Sequence, residues 1–191
     1  MKFILILFAI LVPLRMAAEP LICPNVRPIC PNVPHFSAPA VCSNVCGTKF
    51  LYDHCIDMMR LGGMNLSPSH REEATVYAIL AANLTLESFI DTTYCFGSQL
   101  ENTSLSGPDR DNYRGCIYDL MVATNALHII VTGLCNCFFR NLDNYMSIIT
   151  DVETCRDRML APKVPPLYPD VMRDRNNMVT AYLLGKLLAD L

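Results

Sequence analysis

The side chains of this chain best suited to chemistry are its ten cysteines and four histidines. Asp53-His54-Cys55 contains the residue types of a cysteine nucleophile with its base. Adjacent residues on a helix do not face one another, so this group is not predicted to be catalytic. Cys135-x-Cys137 has a metal-binding spacing, but among ten cysteines two separate disulfide partners are favoured. No zinc-binding histidine pattern, nucleophile elbow or phosphate-binding glycine loop occurs. We therefore predict structural cysteines, no catalytic residue, no metal and no cofactor.

Two further cysteines, Cys116 and Cys155, lie almost symmetrically about a short break at residues 133–137. Apolar residues recur every three or four positions on both sides of the break: Cys116, Leu120, Ala123, Leu127, Ile130 and Leu134 before it, and Phe138, Leu142, Tyr145, Ile149, Val152 and Cys155 after it. This spacing predicts two amphipathic helices that fold back on each other. Both thiols then lie roughly 29 Å from the turn, at 1.5 Å per residue. A disulfide there would clamp the open end of the hairpin.

The N-terminus predicts export. A short basic start is followed by an apolar run over residues 3–14 and by small residues, with a cleavage point after Ala18. We interpret residues 1–18 as a signal peptide and expect a secreted, extracellular protein. An even number of cysteines in an exported chain favours disulfides over reduced thiols.

Charge and hydropathy exclude two classes of partner. Removing Lys2 and Arg15 with the signal leaves 13 basic and 18 acidic residues, a net charge of −5. No basic cluster indicates nucleic acid. No later segment has 18 consecutive apolar residues, so we expect no membrane partner after signal removal.

Three sequons predict N-glycosylation, at Asn65, Asn83 and Asn102. Asn83 falls inside a predicted helix and the Asn65 sequon is followed directly by a proline. Asn102, in a predicted loop, is therefore the acceptor that the sequence favours.

Residues 19–40 are rich in proline and contain an imperfect repeat that begins at Cys23 and again at Cys30. Proline removes backbone donors and fixes φ, so a regular helix is excluded and an extended arm is predicted. Cys23 could pair with Cys30, or both could anchor the arm elsewhere.

After the arm the sequence predicts helices alone. Ser67-Pro68-Ser69, followed by Glu72 and Glu73, has the capping hydroxyl, early proline and acids of a helix start. A short helix pair over 41–62 and four long helices are expected, over 69–95, 108–132, 138–160 and 171–190. The predicted class is all-α: an up-down-up-down four-helix bundle over 41–191, disulfide-stapled, with an N-terminal short helical hairpin.

The chain resembles the plant invertase and pectin methylesterase inhibitor family over residues 41–190. The resemblance rests on cysteine spacing and on a few flanking positions: Cys46 and Cys55, Cys116 with Ala123 and Leu127, Thr150, the run Val152 to Asp157, and the helix Val179 to Leu188. It implies disulfides Cys46–Cys55 and Cys116–Cys155. The pairing of the other six cysteines stays open: Cys23, Cys30, Cys42, Cys95, Cys135 and Cys137.

The resemblance also implies a function, a secreted inhibitor in the plant cell wall that occludes the cleft of a carbohydrate-active enzyme. We favour pectin methylesterase as the target, with acid invertase as the alternative. A helical carrier of lipid or small ligands and a secreted signalling protein remain open. As a hypothesis, the contact surface is the outer face of the hairpin, with Asp119, Arg140, Asp143 and Asn144.

Overall fold

A computed structural model describes residues 23, 30–140, 142–160 and 166–190 of this protein. The predicted signal peptide and residues 19–22 and 24–29 of the arm lie outside the described residues. The arm is described only at Cys23 and from Cys30 onwards.

The predicted all-α class is confirmed. The helices are α1 Ala38–Val45, α2 Lys49–Leu61, α3 Ala74–Leu100, α4 Gly107–Cys135, α5 Leu142–Arg158 and α6 Tyr168–Ala189, and the two strands are β1 His35–Phe36 and β2 Glu72–Glu73. The four long helices form a ring in which α3 packs on α4 and α6, and α5 packs on the same two helices. Short connections between consecutive helices give the up-down-up-down order. The short helices α1 and α2 pack on each other and on α6.

Three helices begin at a hydroxyl side chain that accepts a backbone hydrogen bond. Ser37 caps α1, Thr48 caps α2 and Ser106 caps α4, where the Asp109 N–H donates to Ser106 Oγ at 3.2 Å. These contacts satisfy N–H groups that have no partner within the helix. Since α1 begins at Ala38, the extended arm ends sooner than the predicted residue 40.

The predicted start of α3 at residue 69, after a cap at Ser67, is wrong. Glu72 and Glu73 instead pair antiparallel with β1, and α3 begins only at Ala74. The Ala74 N–H donates to the Pro34 carbonyl at 3.0 Å, so the arm backbone caps this helix in place of a side chain. Glu73 is buried and accepts from the Cys30 N–H at 3.0 Å.

The core is built from one face of each long helix. Its largest fully buried side chains include Tyr77, Phe89 and Phe96 of α3, Leu120, Leu127 and Ile130 of α4, Ile148 of α5, and Met178, Leu184 and Leu188 of α6. The predicted core face of α4 is buried throughout. On α5 the helix starts at Leu142 rather than at 138, Phe138 is exposed in the turn, and Ile148 replaces Ile149 as the fully buried position.

The turn after α4 follows a helix-terminating pattern. The Phe138 N–H donates to the Gly133 carbonyl at 2.9 Å and the Cys137 N–H to the Leu134 carbonyl at 3.1 Å. Cys137 has a φ of 57°, the left-handed conformation that this motif requires. Gly133 lies inside α4 and does not end it, which is why the helix runs three residues beyond the predicted 132.

Four disulfides connect the described residues: Cys23–Cys135, Cys30–Cys137, Cys42–Cys55 and Cys116–Cys155. Cys116 pairs with Cys155, as expected from the hairpin. The two arm cysteines do not pair with each other; each is bonded to one cysteine at the end of α4. Cys95 and Cys46 are free.

The implied Cys46–Cys55 bond is therefore wrong. Cys42 is fully buried on the face of α1 that meets α2, and it takes Cys55 as its partner. Cys46 lies just past the end of α1 in an extended conformation and is half-buried. Four residues apart would be the same face within one helix, but Cys46 lies beyond the helix end, where the extended backbone turns its side chain away.

Serine substitutions discriminate between the two pairings. Cys46→Ser should leave the free energy of unfolding within about 0.5 kcal/mol of wild type, since it breaks no bond. Adding Cys42→Ser should cost about 3 kcal/mol, because the loop between Cys42 and Cys55 is no longer closed in the unfolded chain. Urea unfolding of both oxidised variants measures this. A large loss with Cys46→Ser alone would contradict the assigned pairing.

The contact between α5 and α6 depends on Gly185. A Cβ at this position would lie 2.6 Å from the Tyr145 hydroxyl oxygen and 2.7 Å from the ring carbon that bears it. Since Tyr145 is buried, we expect Gly185→Ala to destabilise the fold by about 1 to 3 kcal/mol through overpacking. Gly97 is the matched control within α3, with no atom within 4 Å of its added Cβ. Gly97→Ala should gain about 0.5–1 kcal/mol in thermal unfolding. Equal effects of the two substitutions would contradict the close approach.

Candidate functional site

The four residues predicted to form a contact surface do not lie together. Asp119 is 8% exposed, and it accepts a hydrogen bond from the Arg158 Nε at 3.0 Å. Arg140 and Asp143 are exposed and Asn144 is half-buried, all three at the turn end of the hairpin. Asp119 lies 16 residues before the end of α4, about 24 Å from that turn. Asp119 is therefore removed from the candidate surface.

Asp119 belongs instead to the seam between α4 and α5. Asp151 lies in the same seam, where desolvation first and the charge of Asp119 second raise the pKa of its carboxyl. Arg158 supplies the positive charge that pairs with Asp119. The charged groups of Asp119, Asp151 and Arg158 thus lie in the contact between α4 and α5.

The exposed side of α4 carries no charge from Tyr118 to the end of the helix. The exposed residues there are Tyr118, Met121, Val122, Asn125, Ile129, Thr132 and Asn136. Tyr118 is 67% exposed and Ile129 is 59% exposed. The row extends over about 27 Å of helix.

On α5, between Asp143 and Asp157, the exposed residues are the uncharged Met146, Ser147, Thr150 and Thr154. The partly exposed Glu153 and Arg156 form an ion pair at 3.1 Å. The two threonine hydroxyls donate to carbonyls of their own helix, at 2.9 and 2.8 Å, so their oxygens remain available as acceptors. We call the exposed residues just named, of α4 and α5 together, the hairpin outer face. Large exposed apolar side chains grouped in this way are typical of interaction surfaces.

Among the described helices, α4 is long and apolar enough to cross a membrane by length and composition. The same helix packs against α3 and α5 through its buried stripe. The core helix of a helical bundle meets the same criteria. The apolar composition of α4 is explained by its buried stripe on one side and the hairpin outer face on the other.

A second polar feature lies between α3 and α6. Asp174 is fully buried, and the Ser88 hydroxyl donates to its Oδ1. The Arg173 Nε donates to the same hydroxyl oxygen at 3.3 Å. Desolvation is the largest cause and raises the pKa of Asp174 to about 7, against the lowering effect of the Ser88 and Thr92 hydroxyls.

These groups do not form a catalytic arrangement. The Ser88 hydroxyl donates to the buried Asp174 carboxyl and not to a histidine, while His54 forms its hydrogen bond with Asn177 at 2.9 Å. Cys55, the nucleophile candidate, is in a disulfide. Within the described part of the chain no group of three or more histidine, cysteine, aspartate or glutamate residues is placed to hold a metal ion.

The sequon asparagines differ in their surroundings. Asn65 and Asn102 are exposed, and each side-chain oxygen accepts a backbone N–H two residues further on, at 2.9 and 3.0 Å. Asn83 is half-buried within α3. Glycosylation stays a prediction, with Asn102 and Asn65 as the accessible acceptors.

No protein-family model matches this chain, and no curated protein matches it. Among solved structures, a mutant form of a pectin methylesterase inhibitor from Arabidopsis has a similar fold. It matches with a TM-score of 0.64 and 13% sequence identity, over 76% of this chain and 95% of that chain. This chain has the fold of a pectin methylesterase inhibitor.

The sequence predicted the outer side of the hairpin as the contact surface, but it did not predict the uncharged exposed residues found there. Periodicity assigned the core stripe of α4 correctly, but it gave no reason to treat Tyr118, Met121, Val122 and Ile129 as exposed. The available signal was the unusually apolar composition of residues 118–135, too apolar for a helix with one solvated face. Asp119 was misplaced because a single acid in such a stretch suggests solvent, whereas here it pairs with Arg158.

The raised pKa of Asp174 predicts a pH-dependent stability. Its carboxyl is protonated in the folded protein up to about pH 7 and in the unfolded chain only below about pH 4. The folded state binds the extra proton, so stability should fall as pH rises from about 4 to about 7, by up to about 1.4 kcal/mol per pH unit. Asp174→Asn should abolish this part of the profile in urea unfolding. Asp143→Asn controls for the loss of one negative charge, and identical profiles for wild type and Asp174→Asn would contradict the prediction.

Proposed function

We propose that this protein is a secreted inhibitor of a cell-wall carbohydrate-active enzyme, pectin methylesterase, and that it binds through the hairpin outer face. The observation that carries the proposal is an uncharged, partly apolar surface on a disulfide-clamped hairpin, in a chain with the fold of a pectin methylesterase inhibitor. Ten cysteines and the N-terminal apolar run support export to the cell wall.

Inhibition would be steric. The hairpin lies over the substrate cleft of the enzyme, and its helices occupy the space that the polysaccharide needs. The Cys116–Cys155 bond fixes the height of α4 against α5, so little conformational freedom is lost on binding. Tyr118 and the neighbouring apolar residues supply the contact, since interface centres are enriched in aromatic side chains and poor in charge.

The test is titration of purified pectin methylesterase and acid invertase with the oxidised secreted chain at mildly acidic pH. Stoichiometric inhibition of pectin methylesterase alone is the expected result. Inhibition of invertase alone would keep the inhibitor class and replace the target. If neither enzyme is inhibited by a helical, fully oxidised chain, the proposal is wrong and the carrier or signalling functions take its place.

Paired tyrosine substitutions test the surface. Tyr118 on α4 is 67% exposed and Tyr94 on α3 is 71% exposed, so the two are matched in type and exposure and differ in face. Tyr118→Asp should weaken inhibition by at least about 30-fold, the effect of losing a central contact of about 2 kcal/mol. Tyr94→Asp should leave the inhibition constant unchanged.

The turn end of the same hairpin is tested separately. Charge reversal of Arg140 and Asp143, together with Asn144→Ala, alters the remaining residues of the predicted contact surface. A loss of inhibition smaller than that of Tyr118→Asp is expected, since charges at the rim of an interface contribute little. If the Tyr118 and Tyr94 substitutions have equal effects while the turn variant abolishes inhibition, the contact lies at the turn and not on α4.

A further inference from the structure

The exposed side of α4 repeats with the period of a coiled-coil seam. Six exposed residues follow one another in steps of four, three, four, three and four, and we call them the exposed stripe: Tyr118, Val122, Asn125, Ile129, Thr132 and Asn136. Such alternating steps keep a stripe in line along a helix that packs against another helix. The β-branched Val122 and Ile129 occupy the repeat position at which β-branched residues favour parallel pairs of helices.

The exposed stripe lies opposite the stripe that α4 uses within the bundle. The core stripe consists of buried residues: Cys116, Leu120, Ala123, Leu127, Ile130 and Leu134. Each member of the exposed stripe follows a member of the core stripe by two residues, which is about 200° around a helix of 3.6 residues per turn. The helix therefore packs against α3 and α5 through one seam and presents a second seam to solvent.

The charge around the exposed stripe is compatible with an identical helix. The whole chain is negatively charged, so two copies repel each other over most of their surface. On α4 no aspartate, glutamate, lysine or arginine is exposed between Tyr118 and Asn136. Charged residues that flank a seam usually select its partner. The one acid in this stretch, Asp119, is buried and paired with Arg158, so a second copy meets no like charge here.

We propose that a second copy of this chain binds along the exposed stripe, with the two α4 helices parallel and in register. Each member of the stripe then meets its own counterpart. Val122 and Ile129 bury apolar area against themselves, and each Asn125 amide donates to the oxygen of the other, since an amide both donates and accepts. An antiparallel pair centred on the stripe would set Asn125 against Ile129 and Val122 against Thr132, with polar groups opposite apolar ones.

The size of the contact predicts a weak pair. The stripe is about 27 Å long, and one helix with the edge of its neighbour is about 15 Å wide, so each copy contributes roughly 400 Å². A total of about 800 Å² lies at the low end of specific interfaces, where association is reversible. Because both helices are already folded, little ordering of the chain opposes the pairing.

Pairing of this kind would cover the hairpin outer face. A dimer and a complex with the target enzyme then exclude each other, so the dimer is an inactive form of the inhibitor. That consequence rests on the proposed function, whereas the pairing itself does not.

Sedimentation equilibrium of the oxidised secreted chain measures the pairing without any enzyme. The average mass should rise reversibly from one chain to two as the concentration increases from about 1 to about 500 μM, as for a micromolar dissociation constant. A mass that stays at one chain throughout would overturn the proposal. Since no enzyme is present, failure of this proposal and failure of the proposed inhibition are seen in separate experiments.

Opposite charges at one position test whether the stripe faces itself. Val122→Glu and Val122→Lys should each stay at the mass of one chain, because the pair would bring like charges together. An equimolar mixture of the two should pair at least about tenfold more tightly than either variant alone. A mixture that pairs no more tightly than its components would overturn the parallel, in-register arrangement.

The control is another exposed apolar residue outside the hairpin. Phe50 on α2 is 62% exposed, and Phe50→Glu should pair like the wild type. Both positions are exposed on helices, so all the variants should fold. Equal losses with Val122→Glu and Phe50→Glu would show general association of apolar surface, and the assigned contact would be rejected.

Discussion

The structure depends on disulfide bonds that hold α4 at two points along its length. Cys116 ties the helix to α5, and Cys135 and the following Cys137 tie its far end to Cys23 and Cys30. About 28 Å of helix lies between these attachments. In the unfolded chain the three bonds close loops of 39, 107 and 112 residues, and the chain-entropy model assigns each roughly 4 to 5 kcal/mol when taken alone. The disulfide bonds hold α4 in position, and the neighbouring long helices α3 and α5 pack against it.

This constraint explains how the molecule carries an apolar outer surface on its central hairpin. A helix with the composition of α4 would lower its free energy by burying both sides, but its position is fixed with one side in the core and the other in solvent. The charges nearest to it, Asp119, Asp151 and Arg158, are used within the α4–α5 seam. A rigid, uncharged surface results, and rigidity is the property that an occluding inhibitor requires.

The opposite side of the bundle follows a different principle. Between α3 and α6 a fully buried carboxyl, Asp174, is held by Ser88 and stays protonated at mildly acidic pH. An adjacent cleft has an apolar wall formed by Met58, Leu61 and Leu84. The two sides of the molecule thus offer different chemistry on one scaffold.

The sequence by itself determined the helical class, the four long helices and the Cys116–Cys155 clamp, because apolar periodicity and equal distances from a turn are local properties. Packing between distant segments decided three other features. These are the burial of Ile148 on α5, the start of α3 at Ala74 and the role of Asp119. The choice of Cys42 over Cys46 shows the reason most clearly. Both lie a plausible distance along the chain from Cys55, but only Cys42 is on the face of α1 that meets α2. Spacing limits which residues can meet, and only the tertiary structure decides which way each side chain points when they do.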